Sequence, residues 1–147
     1  MKSLTFSRRA AFFGALYGNA MGRADDRPLA VSMLKLLTTP ENFDGKRVTV
    51  AGFLLLFRSK HDLAQTALFL HRDDAENQLP NGVEIAATRE MWHDEETLNR
   101  KYVVLTGTFH LVPTPTAPAL GGGFSVIRDI SHCTLWSDPK HPRIADW

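Results

Sequence analysis

The sequence predicts a mainly β domain in which five strands form a small Greek-key barrel, with two short helices, one of them between the third and fourth strands. Three observations support this prediction: the order of the apolar segments, a long strand rich in β-branched residues at 48–57, and a central glycine in each of two long strands. Glycine kinks let strands bend around a closed barrel. A chain of 147 residues has enough apolar material for one such core.

The strand at residues 48–57 follows a turn at residues 42–45. In that turn Asp44 can bond its own backbone and Gly45 can adopt a positive φ. One face of the strand carries Val48, Val50, Gly52, Leu54 and Leu56. The other face carries Thr49, Ala51, Phe53, Leu55 and Phe57. The strand therefore begins with alternating polarity and ends apolar on both faces, so we expect its second half to be covered on both sides.

Two glycines occupy equivalent places in the pattern. Gly52 lies in the segment VTVAGF and Gly107 in the segment VLTGTF. A glycine inside a strand marks a bulge, a sharp bend or the close approach of another backbone. We therefore assign Gly45, Gly52 and Gly107 structural roles.

The remaining elements follow from periodicity and from turn residues. An amphipathic helix is expected at residues 30–38, where Ala30, Met33, Leu34 and Leu37 form one stripe. A helix at residues 88–99 would have Thr88 as its N-cap. Further strands are expected at residues 64–71, 83–87, 101–110 and 124–136, a helical turn at 72–76 and a Pro/Gly-rich loop at 111–123.

Three strands, a helix and two strands is the order of the OB-fold, a five-stranded Greek-key barrel. The segment TPENFDGKRVTVAGF at residues 39–53, together with YVVLTGTF at 102–109, resembles a group of small, largely uncharacterised bacterial proteins with OB-like barrels. Their pattern is N-P-x-x-[YF]-x-G-K-x-V-x-V-x-G, and Thr39 replaces its asparagine. The similarity covers about residues 31–135. It implies a fold and brings no catalytic residues.

The N-terminal 24 residues have the layout of a cleavable export signal, with a basic start, a short apolar middle and small residues near the end. The segment SRRAAFF resembles the twin-arginine signal pattern, although Ala11 stands where that pattern has a large apolar residue. Cleavage after Ala20 or Ala24 would leave a barrel domain at residues 25–136 and an irregular tail at 137–147. Export would place the protein in the periplasm or outside the cell; a cytoplasmic location is the alternative. The apolar stretch is too short to span a bilayer.

The charge distribution counts against a general nucleic-acid-binding surface. The formal net charge is +1, but four of the 17 basic residues lie in the first 24 positions, which contain no acidic residue. Without them 13 basic and 16 acidic side chains remain, a net charge of −3. Binding to nucleic acid needs basic groups that displace counterions from phosphates.

No catalytic residues, cofactor or metal site are predicted. The six histidines lie on different predicted elements without the i, i+4 spacing of a helical metal motif. His132 and Cys133 are adjacent on a strand and therefore point to opposite faces. The serines lack the G-x-S-x-G turn of a nucleophile, and the lone Cys133 is best explained as a small buried apolar residue.

A ligand would be expected on the face that OB-folds commonly use, formed by strands two and three with the loops between strands one and two and between strands four and five. On this chain that face would involve Arg58, Lys60, His61, Phe69, His71 and Arg72. Phe69, like Phe53, could equally belong to the core.

These features give one leading hypothesis and two alternatives. The leading hypothesis is a non-enzymatic, exported OB-like domain that binds a protein or a small ligand in the cell envelope. The first alternative is a cytoplasmic OB module for single-stranded nucleic acid, which the charge and the scarcity of stacking aromatics disfavour. The second alternative is a partner protein that neutralises a toxin.

Overall fold

The structure of the protein, a computed structural model, describes residues 27–61, 64–113 and 120–136. Its elements are six strands and several short helices. The strands are β1 (Leu29–Ala30), β2 (Arg47–Arg58), β3 (Ala64–Phe69), β4 (Gly82–Ile85), β5 (Tyr102–Leu111) and β6 (Ser125–Leu135). The helices are α1 (Met33–Thr38), α2 (Arg72–Glu76), α3 (Arg89–His93) and α4 (Glu95–Leu98), with 3₁₀ turns at Pro40–Asn42 and Leu120–Gly122.

The six strands form one mixed sheet in the order β1-β2-β3-β4-β6-β5, and β5 also pairs with β2. Five strands therefore form a ring in which each is bonded to two neighbours. The β2–β3, β3–β4, β5–β6 and β2–β5 pairs are antiparallel, whereas β4 and β6 are parallel. The prediction of a mainly β domain is confirmed, with six strands in the described part of the chain instead of the five predicted.

The inner face of β2 forms the centre of the core. Val48, Val50, Leu54 and Leu56 are each at most 2% exposed, as the alternation along this strand predicts. They pack with apolar residues of the other strands and of the helices, namely Met33, Leu36, Leu68, Val83, Ile85, Met91, Leu98, Val103, Leu105, Phe109 and Ile127. Helices α1, α3 and α4 thus contribute side chains to one continuous core.

The first helix is shorter than predicted. Ser32 caps α1 by accepting a hydrogen bond from Lys35 N at 3.3 Å, so the helix begins at Met33. Leu29 and Ala30 instead pair in parallel with Val48 and Thr49 of β2. The predicted apolar stripe was also incorrect in detail: Met33 and Leu36 are buried, whereas Leu34 is 58% exposed.

The helix predicted at residues 88–99 is two helices. Thr88 is the N-cap of α3, accepting a hydrogen bond from Met91 N at 3.3 Å. The chain then leaves helical geometry at Asp94, which has φ −95° and ψ 21°, and continues as α4. The described residues therefore contain four short helices, where two helices and a helical turn at residues 72–76 were predicted.

The central glycines lie where neighbouring chains approach closely. A Cβ atom on Gly52 would lie 2.7 Å from Leu68 Cγ, and one on Gly107 would lie 2.5 Å from Ile127 Cγ2. Gly107 is also the residue at which the pairing of β5 with β6 shifts register. The two strands pass this point only because the residue has no side chain.

No helix in the described ranges is long and apolar enough to cross a membrane. Two parts of the prediction, the signal at residues 1–24 and the tail at 137–147, lie outside the described residues. The Pro-rich part of the loop between β5 and β6, at residues 114–119, also lies outside them.

Candidate ligand groove

A groove of about 560 Å³ lies on the outer face of β2, between β3, α2 and the segment that leads into β5. Its floor is apolar and consists of Phe53, Leu55, Phe57 and Ala75. Its rim is polar and charged and consists of Gln65, Arg72, Glu76, Gln78, Arg100 and Lys101.

The floor results from the second half of β2, where both faces of the strand are apolar. Phe53, Leu55 and Phe57 alternate with the core residues and point outward. The short helix α2 covers only one end of this row, so Phe53 is buried, Leu55 is half-buried and Phe57 is 50% exposed. The expected cover over the second half of β2 is therefore incomplete, and the uncovered part is the groove.

Helix α2 is fixed against the sheet by a second small core. Phe53, Phe69, Ala67 and Ala75 pack together on the outer face of the β2–β3 pair. The ring of Phe53 meets Tyr102 of β5 edge to face, with centroids 5.3 Å apart and planes at 72°. The Tyr102 hydroxyl also accepts a hydrogen bond from Arg72 N at 3.2 Å. The start of α2 is thereby tied to β5 across the end of the groove.

The first turn of α2 is held by the side chain of Asp74, which reaches back to the N-cap residue. His71 N donates to Asp74 Oδ2 at 3.1 Å. Asn81 Nδ2 donates to Asp74 Oδ1 at 3.0 Å, which accounts for the second oxygen of this buried carboxylate. The helix that forms one wall of the groove is therefore anchored at its start.

Three cationic side chains reach the rim. Arg72 Nε lies 2.6 Å from Glu76 Oε1, and the hydrogen bond to Glu76, with the charge of that carboxylate, raises the pKa of Arg72. Both side chains are largely exposed to solvent. Arg100 and Lys101 form no ion pair with any other described residue.

Two residues of the rim have a left-handed backbone. Gln78 has φ 53° and Arg100 has φ 59°. The third non-glycine residue of this kind in the described ranges, Asp129, lies in β6 and does not line the groove. Positive φ is uncommon outside glycine and costs free energy that the surrounding structure must offset.

The six predicted ligand residues are not brought together as one site. Arg58, Lys60 and His61 are exposed at the end of β2 and the turn that follows, and the Arg58 guanidinium lies 4.6 Å from the centroid of the Trp92 ring. His71 caps α2, and only Arg72 lines the groove. Phe69 is fully buried, so its prediction as a ligand-facing residue is corrected: the side chain packs in the core beneath α2.

A second, smaller cavity of about 330 Å³ lies between the α3–α4 region and β6, and Cys133 is among its lining residues. Burial raises the pKa of the Cys133 thiol to about 11. The described residues contain no group of three or more His, Cys, Asp and Glu side chains that could hold a metal ion. The acidic end of α3 is exposed, where His93 Nδ1 lies 3.1 Å from Asp94 Oδ1.

Comparison with known proteins assigns the chain to no family. No family model matches the chain, and no curated protein matches it. Among solved structures, the chain is similar to a protein assigned as an aspartyl-tRNA synthetase from Leishmania major Friedlin, with a TM-score of 0.47 and 14% sequence identity. The match covers 76% of this chain and 21% of the synthetase, so the chain spans about a fifth of the length of that protein.

Proposed function

We propose that the chain is a non-enzymatic binding module built on an OB-type barrel. The cyclic pairing of β2, β3, β4, β6 and β5 supports the barrel, since an OB-fold is a five-stranded Greek-key barrel. The parallel β4–β6 pair and the placement of α3 and α4 between β4 and β5 support it further. In this proposal β1 is an additional short strand beside the barrel.

The groove is the observation on which the binding function rests. Ligand pockets commonly have volumes of about 300 to 1,000 Å³, apolar walls and a few polar groups that fix orientation. The groove on the outer face of β2 has this size and this distribution of side chains. We infer that it holds a small ligand, or one side chain of a protein partner, with the apolar part on Leu55 and Phe57.

The chemistry of the described lining residues favours binding over catalysis. They include no Ser, Cys or His, and the one carboxylate among them, Glu76, is engaged by Arg72. A nucleophile needs a base within hydrogen-bonding distance, and these side chains offer no such pair. A reproducible hydrolase or transferase activity that one polar substitution abolishes would contradict this part of the proposal.

The proposed site of action is the cell envelope, because residues 1–24 have the layout of an export signal. The test is the intact mass of the protein expressed from the full sequence in a Gram-negative host and recovered from separate periplasmic and cytoplasmic fractions. Export predicts a periplasmic species cleaved after Ala20 or Ala24. An uncleaved cytoplasmic protein would contradict it.

Single-stranded nucleic acid is the second candidate ligand, because exposed Phe57 and Tyr102 lie beside Arg100 and Lys101. Base stacking on aromatics next to cations is typical of single-strand binders. Such binding would weaken steeply as salt is raised, whereas a ligand held mainly by the apolar floor would be much less sensitive.

The test of the groove uses N-phenyl-1-naphthylamine, an uncharged aromatic probe whose fluorescence rises in apolar sites. Gln65 is exposed on the rim, so Gln65→Trp should fill the groove without disturbing the core, and Gln65→Ala is the matched control. We expect the probe to bind the wild-type protein and Gln65→Ala, but not Gln65→Trp. Equal binding by both variants, or none by the wild-type protein, would contradict a ligand site in the groove.

A further inference from the structure

We propose that the groove selects ligands in which an anionic group is attached to an apolar body, with Arg100 and Lys101 recognising the anion. This inference rests on the proposed binding function and specifies the class of ligand. Carboxylates, sulfonates and phosphate monoesters share the required chemistry.

The charges around the groove are unbalanced. Three cations, Arg72, Arg100 and Lys101, stand at the rim, and Glu76 is the sole carboxylate among the described lining residues. Glu76 is bonded to Arg72 at 2.6 Å, four residues away on the same helix. Arg100 and Lys101 are therefore left as uncompensated positive charges beside an apolar floor. A ligand that fills the floor and carries a negative charge would satisfy both features.

The backbone around Arg100 is held firmly to β2. Arg100 N donates to Leu54 O at 2.9 Å, and Leu54 N donates to Lys101 O at 2.9 Å. Asn99 binds the backbone of Leu56 through both atoms of its amide, at 2.8 and 3.0 Å. The two cations thus stand on a segment bonded to the strand that forms the floor.

The left-handed conformation of Arg100 supports a role for its side chain. With φ 59°, the position would favour glycine or asparagine if only the turn mattered. An arginine at this position places a long cationic side chain on the rim, next to another cation. Because the backbone is fixed by its bonds to Leu54, little ordering of the main chain is needed when an anion binds.

The experiment compares two probes that share one ring system and differ in charge. 8-Anilinonaphthalene-1-sulfonate carries a sulfonate, and N-phenyl-1-naphthylamine does not. The double variant that tests anion recognition is Arg100→Gln with Lys101→Gln. It keeps both side chains polar and removes both charges. The charge control is Lys35→Gln, at an exposed position on α1 that does not line the groove. Near-ultraviolet circular dichroism and thermal unfolding check that each variant is folded.

We expect the wild-type protein to bind the sulfonate more tightly than the uncharged probe. The double variant should raise the Kd of the sulfonate about tenfold, consistent with the loss of charge-assisted hydrogen bonds, and leave the Kd of the uncharged probe within about twofold. Lys35→Gln should change neither value. The inference would be overturned if the double variant weakened the binding of both probes equally, or if it weakened the binding of neither.

The results also separate this inference from the proposed function. If the uncharged probe binds and Gln65→Trp blocks it, the groove is a ligand site whether or not charge matters. Sulfonate binding that is unaffected by the double variant would then overturn only the anion selectivity. If Gln65→Trp blocks neither probe, the groove is not the site and both proposals fail.

Discussion

The side chain of Asn99 forms the backbone hydrogen bonds with Leu56 that a neighbouring strand would otherwise form. Asn99 Oδ1 accepts a hydrogen bond from Leu56 N at 2.8 Å, and Asn99 Nδ2 donates to Leu56 O at 3.0 Å. The pairing of β2 with β5 ends at Phe53, so one amide side chain satisfies backbone groups beyond the end of that ladder. The same residue precedes Arg100, and this contact therefore links the stability of β2 to the geometry of the groove.

Asn99→Ala should lower the free energy of unfolding by about 1 to 3 kcal/mol, because it leaves two partly buried backbone groups without their partner. Chemical denaturation checks this value. Asn77→Ala is the control, since Asn77 Nδ2 bonds Asp73 O at an exposed site and its loss should have a smaller effect. Equal losses of unfolding free energy in the two variants would show that the hydrogen bonds of Asn99 to Leu56 stabilise the protein no more than the exposed bond of Asn77.

Gly107→Ala should destabilise the protein strongly, because its Cβ atom would lie 2.5 Å from Ile127 Cγ2 and 2.7 Å from Arg128 O. The second neighbour is backbone and cannot rotate away. Gly45→Ala is a useful comparison, because Gly45 has φ 74° but open space around its Cα. We expect Gly45→Ala to lower the free energy of unfolding by about 1 kcal/mol, from backbone strain alone. Gly107→Ala should lower it by a clearly larger amount. An unchanged melting temperature in Gly107→Ala would contradict the close approach of β5 and β6.

Leu105→Ala should lower the free energy of unfolding by about 2 to 5 kcal/mol, because it removes a fully buried side chain from the core. Leu34→Ala provides the matched control at a position that is 58% exposed, and should change stability by less than about 1 kcal/mol. Urea titrations of both variants measure the difference. A loss of unfolding free energy within experimental error for Leu105→Ala would show that Leu105 does not lie on the buried face of β5.

The Cys133 thiol should react slowly with iodoacetamide in the folded protein. Burial raises its pKa from 9.0 to about 11, which lowers the thiolate fraction at pH 8 about 100-fold. The pKa of this thiol is higher in the folded state than in the unfolded state, so the folded state holds its proton more tightly. The contribution of the thiol to the free energy of unfolding is therefore fully present below pH 9 and is lost as the pH rises towards 11. Alkylation rates in buffer and in urea, followed by mass spectrometry, check the prediction. Equal rates would show that the thiol is not protected.

Local pattern was sufficient to predict much of the fold. The alternation along β2 correctly identified its buried face, and the turn residues correctly separated most of the strands. One feature depended on a contact that is distant in sequence, because Ala30 pairs with Thr49 instead of entering α1. The predicted helix at residues 88–99 was also too long, since the backbone leaves helical geometry at Asp94.

The candidate groove was missed for a related reason. Phe53, Leu55 and Phe57 were recognised as a second apolar face, but their exposure depends on the five-residue length of α2. Arg100 and Lys101 reach this face only because the chain entering β5 is bonded to Leu54. In the sequence, the run of Asn99, Arg100 and Lys101 directly before a strand is the one signal for these rim residues. It does not locate the groove, because the sequence does not show that this run lies against β2.

The most direct test of a ligand site on the outer face of β2 is a residue-resolved map of probe binding. Two-dimensional ¹H–¹⁵N spectra recorded during titration with 8-anilinonaphthalene-1-sulfonate would show which backbone amides change. The groove predicts the largest shifts at Leu55, Phe57, Gln65, Arg100 and Lys101. Shifts centred on the cavity around Cys133, or on the turn at Lys60 and His61, would contradict the groove as the binding site.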